Sequence, residues 1–245
     1  TLRTPEAEEL LRSYNADIFI VTAYGKILPQ NILDIPRLGC VNLHASLLPK
    51  LRGAAPINRA VMNGDTLGGV TLMYMDAGMD TGDIIAKREV EIPFGCDAGQ
   101  YHNMLAEAGT ELLAEFLKDT AEGKPIPREK QNGNEATYAD KITSEDTHID
   151  FAKPAIEVYN RIRGLNPFPC PYFTLGGKRI KVKKAALGGG SGKPGEVISL
   201  EGGIGIACGS GSVIVQALCP EGKSATDALS YLRGNKLEIG RVVND

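Results

Sequence analysis

The sequence predicts an α/β layer followed by a small β-barrel. Three features carry that expectation. Through residues 1–119 short apolar runs alternate with stretches of helical apolar spacing; residues 120–150 are polar, with scattered Gly and Pro and no period; residues 151–245 hold short strands at close intervals. The expected organisation is therefore two domains, 1–119 and 151–245, joined by a linker over 120–150.

The elements follow in order. Thr4-Pro5 with Glu6, Glu8 and Glu9 opens a helix, with Thr as N-cap, Pro in the first turn and acids at the positive end of the dipole. Asp17 to Val21 reads as a buried parallel strand, 29–35 as a helix, 39–43 as a strand, 54–63 as a helix and 69–75 as a strand. Residues 83–92 read as a strand whose charges put it in a more exposed place. From Gly99, Tyr101, Met104, Leu105, Ala108, Leu112 and Phe116 keep helical spacing, predicting one long amphipathic helix to Lys118. An open parallel sheet ordinarily starts with a strand, whereas Thr1 leads straight into a helix, so a first β-α-β unit is expected upstream. Past the linker, Pro154 to Arg163 is helical and strands are expected at 178–186, 195–200, 203–207 and 212–218. Ser224 is placed to cap a last helix whose apolar face is Ala225, Ala228, Leu229 and Leu232, with Gly234 ending it.

Composition narrows the function classes. The 245 residues are 42% hydrophobic and 23% charged, a soluble globular profile. No apolar run approaches the ~18 residues of a membrane span, and no basic segment followed by an apolar stretch opens the chain, so neither a membrane nor secretion is expected. Five scattered Cys with no C-x-x-C spell neither a disulfide framework nor a zinc site, which predicts reduced thiols in a cytoplasm and no metal. Charge is uneven: residues 151–245 carry 13 Lys+Arg against 7 Asp+Glu, net +6, and residues 1–150 carry 14 against 23, net −9. A basic C-terminal domain suits an anionic partner, of which nucleic acid is the commonest large one.

Two clusters carry chemistry. In Val41-Asn42-Leu43-His44-Ala45-Ser46-Leu47-Leu48-Pro49, Asn42 and His44 lie two apart as a strand ends, so both side chains project to one side. A His can exchange a proton near neutrality and an Asn amide can donate to an oxygen gaining charge in acyl transfer. One histidine among three (44, 102, 148) is more often simply satisfied in a loop, and the second cluster tips the balance. Met75-Asp76-Ala77-Gly78-Met79-Asp80-Thr81-Gly82-Asp83 follows another strand and brings acids to a neighbouring strand end. A carboxylate beside His44 would orient it; spacing leaves open which Asp does so, and any of the three can instead close an Asx turn. Two other patterns are weighed. Gly190 to Gly195 satisfies G-x-G-x-x-G, but Pro194 and the strand after it make it a turn rather than a dinucleotide fingerprint. In 178–184, alternation puts Arg179, Lys181 and Lys183 on one face, either guarding a strand edge or facing phosphates, and the +6 domain charge favours phosphates.

NLHASLLPKLRGAAPINRAVMNGD with GVTLMYMDAGMDTGDII resembles the formyltransferases that use 10-formyltetrahydrofolate, and among them the branch acting on methionyl-tRNA. H-x-SLLP-x-x-RGAAPI and MD-x-G-x-DTGD stand in the expected order and separation. The likeness runs from AYGKILP (23–29) through GLNPFPCPYFTLGGKRIKV (164–182) to EGKSATDALSYLRGNKLEIG (221–240). It implies a Rossmann-like formyltransferase domain with a parallel sheet, lacking its N-terminal β-α-β here, followed by an OB-like barrel that binds tRNA. It implies a triad of Asn42, His44 and Asp80, folate contacts at Ser46, Leu47, Leu48 and Pro49, and a pterin pocket lined by the backbone of Lys26, Ile27 and Leu28. This sequence departs from the family in having Phe168 where Trp is common after GLNP. The implied activity is formyl transfer from 10-formyltetrahydrofolate, a co-substrate, to initiator methionyl-tRNA, by a cytoplasmic monomer with no role for DNA or membrane. Rival readings are a formyl-folate hydrolase or dehydrogenase domain with water as acceptor, a sugar-nucleotide formyltransferase, and a non-catalytic RNA-binding module.

Overall fold

The computed structural model describes residues 2–244; Thr1 and Asp245, the outer bounds of the two expected domains, lie outside the described residues. The chain divides into two compact units, one comprising Thr1–Ile57, Thr66–Ile92 and His102–Lys141, the other Asn58–Asp65, Pro93–Tyr101 and Ile142–Asp245.

In the first unit α1 (Pro5–Ser13) starts as its sequence dictates, Thr4 Oγ1 accepting from the Ala7 amide at 3.3 Å. β1 (Phe19–Val21), α2 (Gln30–Leu33), β2 (Cys40–His44), β3 (Leu67–Tyr74), β4 (Ile84–Glu91) and the greater part of α4 (Ala98–Ala121) follow; α3 (Pro56–Asn63), between β2 and β3 in the chain, falls mostly in the second unit. The sheet order is β1-β2-β3-β4. Only β1 and β2 run parallel; β3 and β4 are antiparallel to their neighbours, so the sheet is mixed where alternation had suggested a parallel one. The nine-residue loop 75–83 joins β3 to β4 as a hairpin and leaves no room for a crossover helix, which makes that pair antiparallel; β3 also runs antiparallel to β2, although a helix separates the two in the chain. β4, at the sheet edge, begins buried at Ile84 and Ile85 and then alternates half-buried and exposed residues through its charged stretch. Gly109 of α4 lets the helix approach β2, since a Cβ there would meet Leu43 Cδ2 at 2.6 Å. Leu43 thus faces α4, and Asn42 and His44, its neighbours on the strand, face the other way.

Residues 120–150 are more than a connection. Glu129 exchanges both backbone hydrogen bonds with Ile84 (2.8 and 3.0 Å), and residues 137–139 pair with 52–55 through Arg52 N to Thr137 O (2.9 Å), Ala139 N to Arg52 O (2.7 Å) and Ala55 N to Ala139 O (3.1 Å). These are main-chain bonds, which side-chain periodicity does not register. A 3₁₀ turn (Gly133–Glu135) lies between them, and α5 (Ser144–Thr147) opens with a Thr143/Asp146 capping box.

In the second unit α6 (Ala155–Gly164), β5 (Tyr172–Leu175), β6 (Lys178–Gly188), β7 (Val197–Ser199), β8 (Ile204–Ala207), β9 (Ser212–Pro220), β10 (Thr226–Asp227) and α7 (Ala228–Gly234) follow α5. The antiparallel order is β5-β6-β9-β8-β7, with β10 on β9. Val182, Ile206, Val213, Val215 and Leu218 fill the core with Val158 and Ile162 of α6. The gap between the end strands is bridged by the tail. Val197 N donates to Arg241 O and Val243 N to Gly195 O, both at 2.8 Å, while Asn244 N donates to Thr174 O (2.8 Å) and its side chain accepts from Thr174 N (2.9 Å). An irregular segment therefore completes the ring that five regular strands leave open. α7 is capped by Asp227, whose carboxylate accepts from Ser230 N at 2.8 Å, not by Ser224, because Thr226 and Asp227 are extended against β9. Its inward residues are Ala228, Tyr231 and Leu232, and Leu229 is exposed.

Candidate active site

β2 is held between Phe19–Val21 on one side and β3 on the other, with Asn42 opposite Val21 and Met73 and His44 opposite Thr71. Asn42 is half-buried, and its carboxamide makes no hydrogen bond among the described residues. His44 is buried, and its Nε2 lies 3.0 Å from Leu51 O. A carbonyl only accepts, so Nε2 carries a proton and Nδ1 faces Asp80, whose Oδ1 is 3.7 Å away. That is an ion-pair distance rather than a hydrogen bond, available when the ring is protonated.

Of the three acids in the second cluster, Asp80 is the one brought to His44. Its loop leaves the sheet at the Cys40 end of β2, Met75 N donating to Cys40 O at 2.8 Å, and has to double back. It does so compactly. Asp76 Oδ1 accepts from Gly78 N (3.0 Å) and Thr81 Oγ1 (2.7 Å) in an Asx turn, and Asp80 adopts φ +53°. Gly82 is buried so tightly that a Cβ would stand 1.9 Å from Tyr74 O. The carboxylate is then fixed by Gly53 N, which donates to Asp80 Oδ2 at 2.8 Å. Gly53 sits at φ +118°, with any Cβ 2.9 Å from Ala139 O, so the RGAAPI turn and the 137–139 segment together set the donor that holds the acid. Asp83, the third acid, lies 3.8 Å from Arg128.

The Ser46–Pro49 loop is rigid and inward-facing. Ser46 Oγ donates to Lys50 O (2.6 Å), and Thr71 Oγ1, fully buried, donates to Ser46 O (2.7 Å) while accepting from Leu48 N (3.1 Å). Leu48 packs with Met73 and Ile84. Leu47 is half-buried and Pro49 buried. With the Ser46 and Leu48 side chains spent on the protein, what this loop offers a ligand is chiefly its shape. Thr71→Val should orphan two buried main-chain groups at a cost of about 1–3 kcal/mol each. Urea unfolding of the variant checks this, and an unchanged midpoint would mean that the loop does not depend on Thr71. Lys26 and Ile27 are exposed on the loop after β1, and Leu28 packs on Ile32, Leu33 and Cys40. Because β1 and β2 are parallel and in register, this loop and the one after His44 leave the same end of the pair. Cys40 is no nucleophile: burial, helped by the Asp34 charge, pushes its thiol up to about 11.

Three further residues belong to the site's frame and carry no signature in the two clusters. Arg52 is 6% exposed, Thr137 Oγ1 accepts from Leu51 N at 2.8 Å, and Gln131 bridges Arg52 and the Asp80 loop. Only Arg52 falls inside a motif.

In the second unit Arg179 and Lys181 are exposed on β6, and the Arg179 guanidinium lies 4.9 Å from the centre of the Tyr172 ring. A bulge falls at Lys183, because Val182 pairs with Leu218 and Lys184 with Ala217. Lys183 is half-buried with Nζ 3.0 Å from Cys170 Sγ, and Lys184 is exposed in its stead, on the face of Lys181.

The formyl transferase family model matches residues 1–117, and that of the formyl transferase C-terminal domain matches residues 141–236. The chain is 42% identical over 240 residues to the methionyl-tRNA formyltransferase of Geobacter sulfurreducens, covering 98% of this chain and 75% of that protein. It is 45% identical over 242 residues to that of Myxococcus xanthus, covering 98% and 77%. Among solved structures, HypX from Aquifex aeolicus in complex with tetrahydrofolic acid superposes with a TM-score of 0.71 at 20% identity over 96% of this chain and 44% of that one. Methionyl-tRNA formyltransferase from Clostridium thermocellum does so with 0.60 at 24% identity over 76% and 78%. Both likenesses concern the fold.

Proposed function

The chain belongs to the formyl transferase family, in its methionyl-tRNA formyltransferase branch, and from that membership we propose that it moves the formyl group of 10-formyltetrahydrofolate to the α-amino group of methionine on initiator tRNA. The observation that carries this reading is the convergence of Asn42, His44 and Asp80, with an unengaged amide beside an imidazole that faces a clamped carboxylate. In the reaction the amine lone pair forms the new C–N bond, the carbonyl electrons move to oxygen, and collapse of the oxyanion breaks the bond to the folate nitrogen. The amine proton leaves in the process and the folate nitrogen ends protonated. Asn42 donates to the oxyanion. As imidazolium, His44 has its Nδ1–H toward Asp80 and its Nε2–H to donate once substrate oxygen replaces Leu51 O; as neutral base it takes the amine proton on Nε2, in the tautomer whose proton sits on Nδ1 toward Asp80 and with Nε2 released from Leu51 O. Asp80 orients the ring and offsets its charge. Folate is read along Ser46–Pro49 and the Lys26–Leu28 loop. Positioning supplies much of the rest, since a bound amine and formyl carbon react as one molecule. The setting is a cytoplasmic monomer, with domains 1–119 and 151–245 dividing chemistry from RNA binding.

Following a radiolabelled formyl group from the folate to methionyl-tRNA, a sugar nucleotide and water, side by side, tests the reading. Label in the tRNA is the expected result, and label in either rival acceptor overturns it. The cationic face of β6 serves tRNA phosphates in this account, with Arg179, Lys181 and Lys184 outermost and Lys183 beside them. Replacing the outermost three by Gln should flatten the salt dependence of tRNA affinity by roughly two to three units of log affinity per log salt, because each neutralised phosphate releases condensed counterions. Overlapping slopes for wild type and variant would put the tRNA elsewhere.

A further inference from the structure

We propose that Gln131 is a positioning residue for Asp80, setting the catalytic carboxylate from outside both motifs; the inference rests on the formyl-transfer reading above. Gln131 is half-buried, between Glu129, which exchanges main-chain bonds with Ile84, and residues 137–139, which pair with the 52–55 turn. Its Nε2 donates to Asp80 O at 2.9 Å and to Gly82 O at 2.8 Å, and its Oε1 accepts from Arg52 Nε at 3.1 Å and Nη2 at 2.6 Å. Both amide protons and the carbonyl are therefore committed to the two loops that meet at the triad. The orientation of the carboxamide is unambiguous on chemical grounds, because a guanidinium only donates and the two main-chain carbonyls only accept. Arg52, 6% exposed, thus fixes which way the Gln131 amide points, and Gln131 in turn fixes the Asp80 main chain.

Asp80 needs such a hold. At φ +53° it lies in the left-handed region, which a non-glycine residue keeps only where its surroundings over-determine it. The carboxylate end is held by Gly53 N and the carbonyl end by Gln131, so the residue is gripped at both ends with Oδ1 left facing His44. Gly53 follows Arg52 directly, so the guanidinium, the amide and the carboxylate form one closed loop of contacts. In that loop the Arg52 charge meets the Gln131 carbonyl rather than the Asp80 carboxylate, leaving the acid's charge for His44. Gln131 has no contact with His44 or Asn42 in this set of bonds, so its effect must pass through Asp80.

The test is a double-mutant cycle on the full chain, read as kcat and KM for methionyl-tRNA and folate. Gln131→Ala should lower kcat by up to ~10²-fold, the scale of a misplaced catalytic group, with both KM values within about twofold of wild type. In the Asp80→Ala background, followed by single-turnover transfer of labelled formyl, the same change should cost under about threefold, because there is no longer a carboxylate to position. An equal loss in both backgrounds, a loss carried by KM, or no loss at all overturns the proposal. Gln131→Glu covers the case of an alanine variant that does not fold. It keeps a partner for Arg52, and a better one, but turns oxygens toward the Asp80 and Gly82 carbonyls. A drop in kcat with preserved thermal stability is expected, and wild-type kcat would overturn the proposal because the donors to those carbonyls would then be dispensable. Failure of the formyl-transfer reading itself would show earlier and separately, as absence of label in tRNA with the wild-type chain.

Discussion

His44→Ala and Asp80→Ala are each expected to reduce formyl transfer by ~10²–10⁴-fold, the usual contribution of a positioned acid–base group. The two should fail for different physical reasons. Removing the imidazole deletes the group that exchanges the proton, and leaves Leu51 O, 3.0 Å from Nε2 in the native chain, to be satisfied by water. Removing the Asp80 side chain deletes a charge 3.7 Å from Nδ1 and also releases Gly53 N, so the RGAAPI turn loses its anchor. Asp80→Asn separates these effects. Its carbonyl can still accept from Gly53 N, and only the negative charge beside the ring is gone. If the carboxylate acts on His44 electrostatically, Asp80→Asn should lose nearly as much rate as Asp80→Ala with a smaller loss of stability. If Asp80 matters chiefly as the turn's anchor, the Asn variant should be close to wild type. A variant of either residue keeping more than about a tenth of the wild-type rate would remove that residue from the mechanism.

Asn42 and His44 were legible because strand alternation fixes the face of residues two apart, and an apolar run ending in Asn-Leu-His fixes where the strand stops. The choice among Asp76, Asp80 and Asp83 was not legible from spacing. It depends on a loop that starts at the far end of an antiparallel neighbour and returns, and only the resemblance singled out Asp80. A parallel sheet was expected and a mixed one found because β3 is as apolar as a buried parallel strand, both its faces being covered over Val70 to Tyr74. The 131–139 segment was opaque for a different reason. It is joined to 49–55 by main-chain bonds and by the polar side chains of Gln131 and Thr137, with one buried alanine, Ala139, so no apolar period marks it and its polar composition reads as linker. Gln131 is legible only with its partners in view, as a lone glutamine in a polar stretch has no pattern of its own. The bulge at Lys183 breaks an alternation that was otherwise sound for Arg179 and Lys181. The tail that closes the second unit's ring makes its bonds one residue at a time, which leaves no periodic trace.

Asn42→Asp is expected to be as damaging as Asn42→Ala, each lowering kcat by about 10²–10³-fold, the cost of one oxyanion donor. The substitution is nearly isosteric, and the side chain is half-buried on a strand held by β1 and β3, so the fold should be retained in both variants. What changes is the sign of the interaction. The amide offers two N–H groups to an oxygen gaining charge; a carboxylate has none, and its own charge opposes the one that develops. The ground-state carbonyl carries little charge, so KM for the folate should move far less than kcat, which separates transition-state donation from simple substrate binding. An Asp variant with wild-type kcat would end the oxyanion role of Asn42. An Asp variant much worse than the Ala variant would locate the developing charge closer still, since the alanine hole can admit a water that donates in the amide's place and the carboxylate cannot.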